Sequence, residues 1–384
     1  MNGLLIRNAV LCGFHHRHDT GLTDILINEH GIVAQARQNL PLHTDLKIID
    51  LNGALLSPGW IDMHTHVYYG VSNIGLHPDE IGPRTGVTAL VDAGSAGEAN
   101  FTGFREYIVA PRSYPIFSFI NLGSIGLTYA SEVSELDSLE KLNIDRLMAC
   151  IASNPGTIKG IKLRASGVIL RGLGIEIVKL AKRAAEEAQL PLMIHVGEPL
   201  PLLEDILPVL GKGDIVTHCY HGKRWGLFNH QGMIPQAEQA WDRGVLFDVG
   251  HGAASFSFDV AERAIALGRK PFSISTDLHA RNVNGPVWDL ATTMSKMLAV
   301  GLSLEEVIDC VSSHPAELLG LDTYRDGMIG RQARFTAFTL ESEPVTMKDS
   351  QGVSRELNPV FRPCYAVIGS EAVPAVSRSS CPSS

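Results

Sequence analysis

The chain is 384 residues long, with 41 acidic against 32 basic side chains for a net charge of −9, 45% hydrophobic residues, 37 Gly and 20 Pro. This composition excludes a disordered chain, a collagen-like repeat and a coiled coil, and without a basic stripe it excludes a general nucleic-acid binder. At roughly 100–200 residues per domain the length allows two or three units, or one α/β barrel of about 250 residues with an addition.

The N-terminal run Leu4–Leu11 reads as a strand, not as a signal peptide, because no basic segment leads into an apolar one with a small-residue cleavage site. Short β-type runs follow at Asp24–Ile27, Ile32–Ala34 and Ile48–Asp50, between Gly, Asn and Asp breakers. From Leu55 strand-like runs alternate with helical stretches. The runs are Leu55–His66, Gly86–Gly94, Pro115–Gly123, Ile158–Ser166, Pro191–Glu198, Asp214–Gly222, Val245–Gly252 and Pro271–Ala280. Leu173–Gln189 places Ile175, Val178, Ala181, Ala185 and Ala188 on one helical stripe, and Met233–Arg243, Asp259–Leu267 and Val287–Val300 read as helices too. Eight β-runs with helical crossovers indicate an α/β fold of the (β/α)8 TIM barrel type, and no G-x-G-x-x-G follows the first run to support dinucleotide binding. After Leu321 β texture returns, with Arg334–Leu340 and Tyr365–Gly369 clearest. The expected architecture is a barrel over 55–320 with a small β-sandwich domain formed by both termini, 1–54 and 321–373, and a loose tail over 374–384.

No apolar run is long enough to span a bilayer. The six cysteines, Cys12, Cys150, Cys219, Cys310, Cys364 and Cys381, are widely scattered and read as reduced thiols in a cytoplasm. Asn100-Phe101-Thr102 matches a glycosylation acceptor by chance.

Active sites on this barrel lie at the C-terminal ends of the strands. The first run ends Asp62-Met63-His64-Thr65-His66, and a spacing of two puts both imidazoles on one face, the barrel mouth. Lys162, His195, His218 and Asp277 end the fourth, fifth, sixth and eighth runs. A lone histidine at a strand end is more often hydrogen-bonded structure than a ligand, Lys162 could pair a carboxylate, and Asp277 could cap a helix. Six such coincidences at five strand ends favour a common cause. Imidazole nitrogen with carboxylate oxygen is the donor set of Zn²⁺ or a similar divalent ion.

The segment Ser57-Pro58-Gly59-Trp60-Ile61-Asp62-Met63-His64-Thr65-His66 resembles the strand-one motif of the amidohydrolase superfamily, and Ile274-Ser275-Thr276-Asp277 resembles its strand-eight aspartate. Gly160-Ile161-Lys162-Leu163-Arg164-Ala165-Ser166 and Phe247-Asp248-Val249-Gly250-His251-Gly252 are similar to its amidohydrolase/deacetylase, dihydroorotase-like branch. The resemblance covers nearly the whole chain. It implies that His64 and His66 hold one metal, completed by Asp277, that His195 and His218 hold a second, and that Lys162, carboxylated by CO₂ to N6-carboxylysine, bridges the two. Nearby dications stabilise such a carbamate anion. The implied reaction is hydrolysis of an amide or ester of a small acylated, carboxylate-bearing molecule by a metal-bridging hydroxide, with Asp277 as catalytic base and then acid. Lys159 faces the opposite side of its strand from Lys162, which lies nearer the C-terminal end. Arg164, Tyr220, His221, His251 and His279 follow strand ends and are the candidate substrate-binding residues, each equally readable as support for the ligands. Two Zn²⁺ ions are the default cofactors, the partner is a small molecule with neither nucleic acid nor membrane, and the superfamily is often oligomeric.

A rival within the fold is a mononuclear-zinc purine or pyrimidine deaminase, because His195-Val196-Gly197-Glu198 resembles the H-x-G-E of adenosine deaminase, with Glu198 moving the proton. Such an enzyme has no need of Lys162. A catalytically dead scaffold would have lost ligands, and an acidic binding module has no feature in its favour. One departure stands out: in Gly330-Arg331-Gln332-Ala333-Arg334-Phe335 an Arg replaces the Asp of the family's G-x-x-A-D-L turn, which concerns packing of the end module.

Overall fold

The computed structural model describes residues 3–14, 21–41, 45–130 and 132–380. Five strands precede the barrel: β1 (Leu4–Leu11), β2 (Thr23–Ile27), β3 (Val33–Arg37), β4 (Lys47–Asp50) and β5 (Leu55–Pro58). β1 serves two ladders. Its first half runs parallel to β4, and its last residues run parallel to β5. Between these halves its ladder to β2 shifts register, and Asn8 takes a left-handed φ of 55° with its amide donating to the Asp50 carboxylate at 2.8 and 3.0 Å. A bulge of this kind bends a strand, so one strand can turn a corner between two sheets.

Gly59 marks the passage from β5 to the first barrel strand, β6 (Trp60–Thr65). A Cβ on Gly59 would run into the Thr88 hydroxyl and the Arg334 side chain, so the Pro-Gly of the first motif answers to a close approach. β7 (Val87–Ala93), β8 (Ile116–Asn121), β9 (Ile158–Arg164), β10 (Leu192–His195) and β11 (Ile215–Thr217) follow. A two-residue ribbon, β12 (Phe228–Asn229) with β13 (Gly232–Met233), precedes β14 (Leu246–Asp248). The parallel order β14-β11-β10-β9-β8-β7-β6 makes a curled seven-stranded sheet. Every residue of β6, β7 and β8 is buried, as expected of strands covered on both faces.

The eighth run does not form a regular ladder. It closes the barrel through bridges Asp248↔Ser273 on one side and Thr65↔Leu278 on the other. Its side chains do part of the joining: Ser273 and Ser275 hydroxyls donate to Asp248 at 2.6 Å each, and Thr276 donates to Asp62 at 2.6 Å. Asp277 then leaves the extended region, with φ at 53°.

Helix Gly174–Ala188 buries Ile177, Val178, Ala181, Ala184 and Ala185, so the apolar stripe is centred one position away from the expected Ile175 and Ala188. The chain returns through β15 (Arg334–Glu341), β16 (Val345–Lys348), β17 (Ser354–Leu357), β18 (Val360–Ile368) and β19 (Glu371–Pro374). β15 pairs antiparallel with β5 and β18, so strands from both ends share one eight-stranded sheet with its own apolar core. Arg334 is buried beneath it and donates to Gly59 O at 3.3 Å and Asp322 O at 3.1 Å. β16 and β17 form a separate hairpin that sequence reading did not anticipate. Near the C-terminus the Ser377 hydroxyl and the Arg378 N–H both donate to Asp289 at 2.7 Å. Cys381 and the residues after it lie outside the described residues. Among the described residues no helix is long and apolar enough to cross a membrane.

Candidate metal centre

β6 ends in the two imidazoles, both buried. His66 Nε2 stands 3.0 Å and His64 Nε2 3.3 Å from Asp277 Oδ1. The backbone holds the aspartate there: Asp277 N–H donates to His64 O at 2.7 Å, and the Asn282 amide donates to Asp277 O at 2.8 Å. Gly252 lies so close that a Cβ would meet Asp277 Oδ2 at 2.9 Å. One ligand atom from each of His64, His66 and Asp277 falls within 4.8 Å of the others.

Lys162 is buried at the same mouth, its Nζ 3.1 Å from His64 Nε2 and 3.6 Å from Met193 Sδ. Lys159 turns the other way and sits over the Phe117 ring at 5.2 Å, so the parity expected along β9 holds. Burial pulls the Lys162 ammonium down to about 7, against the opposing charges of Asp277 and Asp248. The His195 and His218 rings lie 4.4 Å apart and the His64 and His218 rings 5.1 Å apart. Burial holds His64 and His195 well below their ordinary value and His218 at about 3, so all three are neutral imidazoles. Burial alone would raise Asp277. The His64 imidazole and the hydrogen bond from His66 outweigh it and keep the carboxyl well below its usual range.

The hydrogen-bond network assigns the tautomers. His218 Nδ1 donates to Gly250 O at 2.5 Å, which leaves Nε2 as a buried lone pair without a hydrogen-bond partner among the described residues, 4.0 Å from Asp277 Oδ2. The Thr217 hydroxyl donates to Asp248 at 2.7 Å and so accepts from His64 Nδ1 at 2.9 Å, turning the other lone pair of His64 toward Asp277. His218 thus offers a buried lone pair without a partner among the described residues and His64 one that it shares with Lys162 Nζ, both beside a carboxylate, a donor set that a cation satisfies. The residues present fit a divalent ion.

Several contributors escaped sequence reading. Thr217, Asp248 and Ser95, which lies 2.9 Å from His66 Nδ1, orient the imidazoles from behind. An acid inside the apolar run before Gly250 was the available signal for Asp248. Glu135 holds Arg164 in a two-pronged pair at 2.6 and 2.7 Å.

The expected substrate contacts divide. Arg164 and His279 border the cavity over the imidazoles. His279 Nδ1 accepts from Arg281 N–H at 3.1 Å, which leaves Nε2 as the N–H, and burial lowers the ring to about 4. Tyr220 points into the outer layer, where its hydroxyl donates to Arg269 O at 2.7 Å, because the chain turns sharply after His218 at φ 66°. His221 is buried against Gly226 and does not border that cavity. His251 is committed elsewhere, with Nε2 2.8 Å from Lys296 Nζ and Nδ1 donating to Gly252 O at 3.0 Å. Glu198 is held by Ser166 at 2.7 Å and Lys223 at 2.5 Å, and although burial would raise it, these bonds pull it to about 2.

No family model matches the chain. It is 46% identical to a deacetylase of Brucella anthropi over 373 residues, 97% of this chain and 93% of that protein. Among solved structures it matches a dihydroorotase at 44% identity and a TM-score of 0.91, covering 98% of this chain and 99% of that one. An adenine deaminase structure matches at 35% identity and a TM-score of 0.88, covering 97% of this chain and 100% of that one. A barrel closed by an eighth strand that carries the aspartate, with this degree of likeness along almost its whole length, makes the chain a member of the amidohydrolase superfamily, in its deacetylase and dihydroorotase-like branch, and a metal-dependent hydrolase.

Proposed function

We propose that the protein hydrolyses an amide or ester bond of a small acylated, carboxylate-bearing molecule, and that it holds two divalent ions, Zn²⁺ by default. His64, His66 and Asp277 would hold one, His195 and His218 the other, and Lys162 would bridge them as N6-carboxylysine. The observation that carries this reading is the buried lone pair of His218 Nε2, without a hydrogen-bond partner among the described residues, beside the Asp277 carboxylate that also meets His64 and His66. Support for the carbamate comes from Lys162 itself, since CO₂ adds to an uncharged amine and burial draws this one toward neutrality near pH 7. Bound divalent ions supply Lewis acidity and a nucleophilic water at neutral pH.

The chain's own groups do the rest. Asp277, held ionised, is free to accept a proton at Oδ2, where its neighbour His218 Nε2 carries none, and to return it to the leaving nitrogen or oxygen. His279 presents an Nε2–H and Arg164 a guanidinium edge to the substrate's oxygens. We read the barrel as 55–320 and the end module as 1–54 with 321–373. The cysteines described, Cys12, Cys150, Cys219, Cys310 and Cys364, are free thiols, in keeping with a cytoplasmic enzyme.

The deaminase reading draws on the adenine deaminase likeness and on Glu198, which borders a cavity beside His195. Glu198 is a poor proton donor while Lys223 and Ser166 hold it ionised. Elemental analysis of protein purified with Zn²⁺ and bicarbonate separates the two. Two ions per chain, falling to one in Lys162→Ala but not in Lys159→Ala, are expected, with turnover of acyl amides or esters. One ion per chain, indifferent to Lys162→Ala, together with ammonia release from adenine, would overturn the binuclear reading in favour of the deaminase.

A further inference from the structure

Four imidazoles are proposed ligands, and three of them are oriented from behind. His64 Nδ1 meets the Thr217 hydroxyl at 2.9 Å, His66 Nδ1 the Ser95 hydroxyl at 2.9 Å, and His218 Nδ1 the Gly250 carbonyl at 2.5 Å. Among the described residues His195 makes no hydrogen bond through its ring, and burial and neighbouring charges, Lys223 among them, hold it neutral. A ligand whose ring is free to turn binds a cation weakly, because its lone pair has first to be aimed. Something other than a hydrogen bond must therefore aim His195.

The loop that follows it supplies the means. Just past His195, the Glu198 carboxylate accepts from the Ser166 hydroxyl at 2.7 Å and from Lys223 Nζ at 2.5 Å. Ser166 follows β9, which carries Lys162, and Lys223 follows β11 and His218. One carboxylate thus fastens the loops after β9, β10 and β11, neighbours in the sheet that each bring a proposed ligand. Main-chain bonds run alongside: Ala165 N–H donates to His195 O at 3.0 Å and Gly167 N–H to Glu198 O at 2.9 Å. Gly197, between the imidazole and the carboxylate, leaves room for the arrangement. A Cβ there would stand 3.1 Å from Lys223 Nζ, 3.6 Å from its Cδ and 3.7 Å from His195 Nε2, so the lysine stem and the imidazole lie against the same bare Cα. An exposed ion pair adds little by itself. What sets this one apart is the buried Ser166 on the same carboxylate and the three loops that meet there.

We propose that Glu198 is the positioning residue of His195: by drawing Ser166 and Lys223 together it fixes the loop on which the imidazole stands, and so aims the one proposed imidazole ligand that no hydrogen bond orients. The inference rests on His195 being a metal ligand, as the reading above has it. It gives Glu198 a different part from the one it has in the deaminase reading, where it moves a proton. Here both of its oxygens are engaged by donors of neighbouring loops, and it acts on the ligand instead of on the reacting atoms.

The test is a double-mutant cycle read in Zn²⁺ affinity, by competition with a chelator that changes colour on binding, on the intact chain with bicarbonate supplied. Glu198→Ala is expected to weaken the site that holds His195 by ~10–100-fold. Glu198→Gln, which keeps the shape and one acceptor, and Lys223→Met, which keeps the stem against Gly197, should fall between it and the wild type. On a His195→Ala background, Glu198→Ala should cause no further loss, since the ring it aims is gone. The visible spectrum of the Co²⁺-loaded protein should change in Glu198→Ala in the same direction as in His195→Ala. The melting temperature of each metal-free variant checks folding, and if Glu198→Ala does not fold, the Gln and Met variants carry the same cycle. Wild-type affinity in the folded variants, or an equal loss with and without the His195 ring, would overturn the inference and leave the ligand assignment standing. Wild-type affinity together with the loss of ammonia release from adenine would overturn it too, and make Glu198 a proton carrier. Zn²⁺ binding indifferent to His195→Ala would defeat the ligand assignment, and the inference with it.

Discussion

Thr217 decides which nitrogen of His64 is left as a lone pair. Its hydroxyl hydrogen goes to Asp248, so its oxygen must accept from His64 Nδ1, and the lone pair is left on Nε2 facing Asp277. Asp248 in turn collects three hydroxyl donors, from Thr217, Ser273 and Ser275, which hold a buried acid that burial pushes upward. Replacing Thr217 by Val removes the acceptor and leaves both nitrogens of His64 free to carry the proton. Metal affinity is expected to fall ~10–100-fold in Thr217→Val, measured by competition with a chromophoric chelator. Unchanged affinity would show that the tautomer of His64 is set elsewhere. At this scale the candidate ligands were readable in the sequence, because a spacing of two puts His64 and His66 on one strand face, while a spacing of three puts Lys159 and Lys162 on opposite faces. Thr217 was not, since a threonine one residue before a histidine carries no distinguishing pattern.

The loop Gly250-His251-Gly252 connects the centre to an element outside the barrel. Gly250 O accepts from His218, and Gly252 packs on Asp277, while His251 between them bonds Lys296 of helix Leu290–Ala299. Lys296 Nζ also lies 2.7 Å from Pro286 O and from Lys348 O at the end of β16, and the Ser350 hydroxyl donates to Gly252 O at 2.7 Å. The hairpin of β16 and β17 is thereby fastened to the loop that supports two proposed ligands. Burial pulls Lys296 down from 10.5 to about 7, against the charges of Asp349 and Asp289. Between those values the unfolded chain binds a proton that the native protein lacks. The contribution of Lys296 to stability therefore rises with pH across that window and is lost as pH falls through about 7. The stability difference between wild type and Lys296→Met, from urea titrations at pH 7 and 9.5, is expected to change in the wild type's favour by up to ~1.4 kcal/mol per pH unit. A difference independent of pH would mean that Lys296 keeps its charge. Strands and most helices could be placed from periodicity alone. This hairpin could not, because it lies in a short polar segment with weak alternation, and the side-chain hydroxyls that join the eighth strand to its neighbours leave no period in the sequence.

Across the whole molecule the proposed ligands come from β6, β9, β10, the turn after β11 and the eighth strand, so they are neighbours only when the barrel is closed. Ions held there bind the folded state in preference to the unfolded chain, and saturation at a thousand times Kd would add about 4 kcal/mol of stability. Treatment with a chelator is expected to lower the melting temperature by several degrees, with recovery on adding Zn²⁺ and bicarbonate; a melting temperature indifferent to chelation would argue against a metal at this mouth. By itself the sequence marked the barrel, the module shared by both ends and the six candidate ligands, through strand periods and through motifs that resemble those of the superfamily. Only the tertiary structure decided the fates of Tyr220, His251 and His279, and the meeting of Ser166 and Lys223 on Glu198. Those residues lie in loops beyond the strand ends, where no period operates and where direction depends on which distant loop supplies the hydrogen bonds.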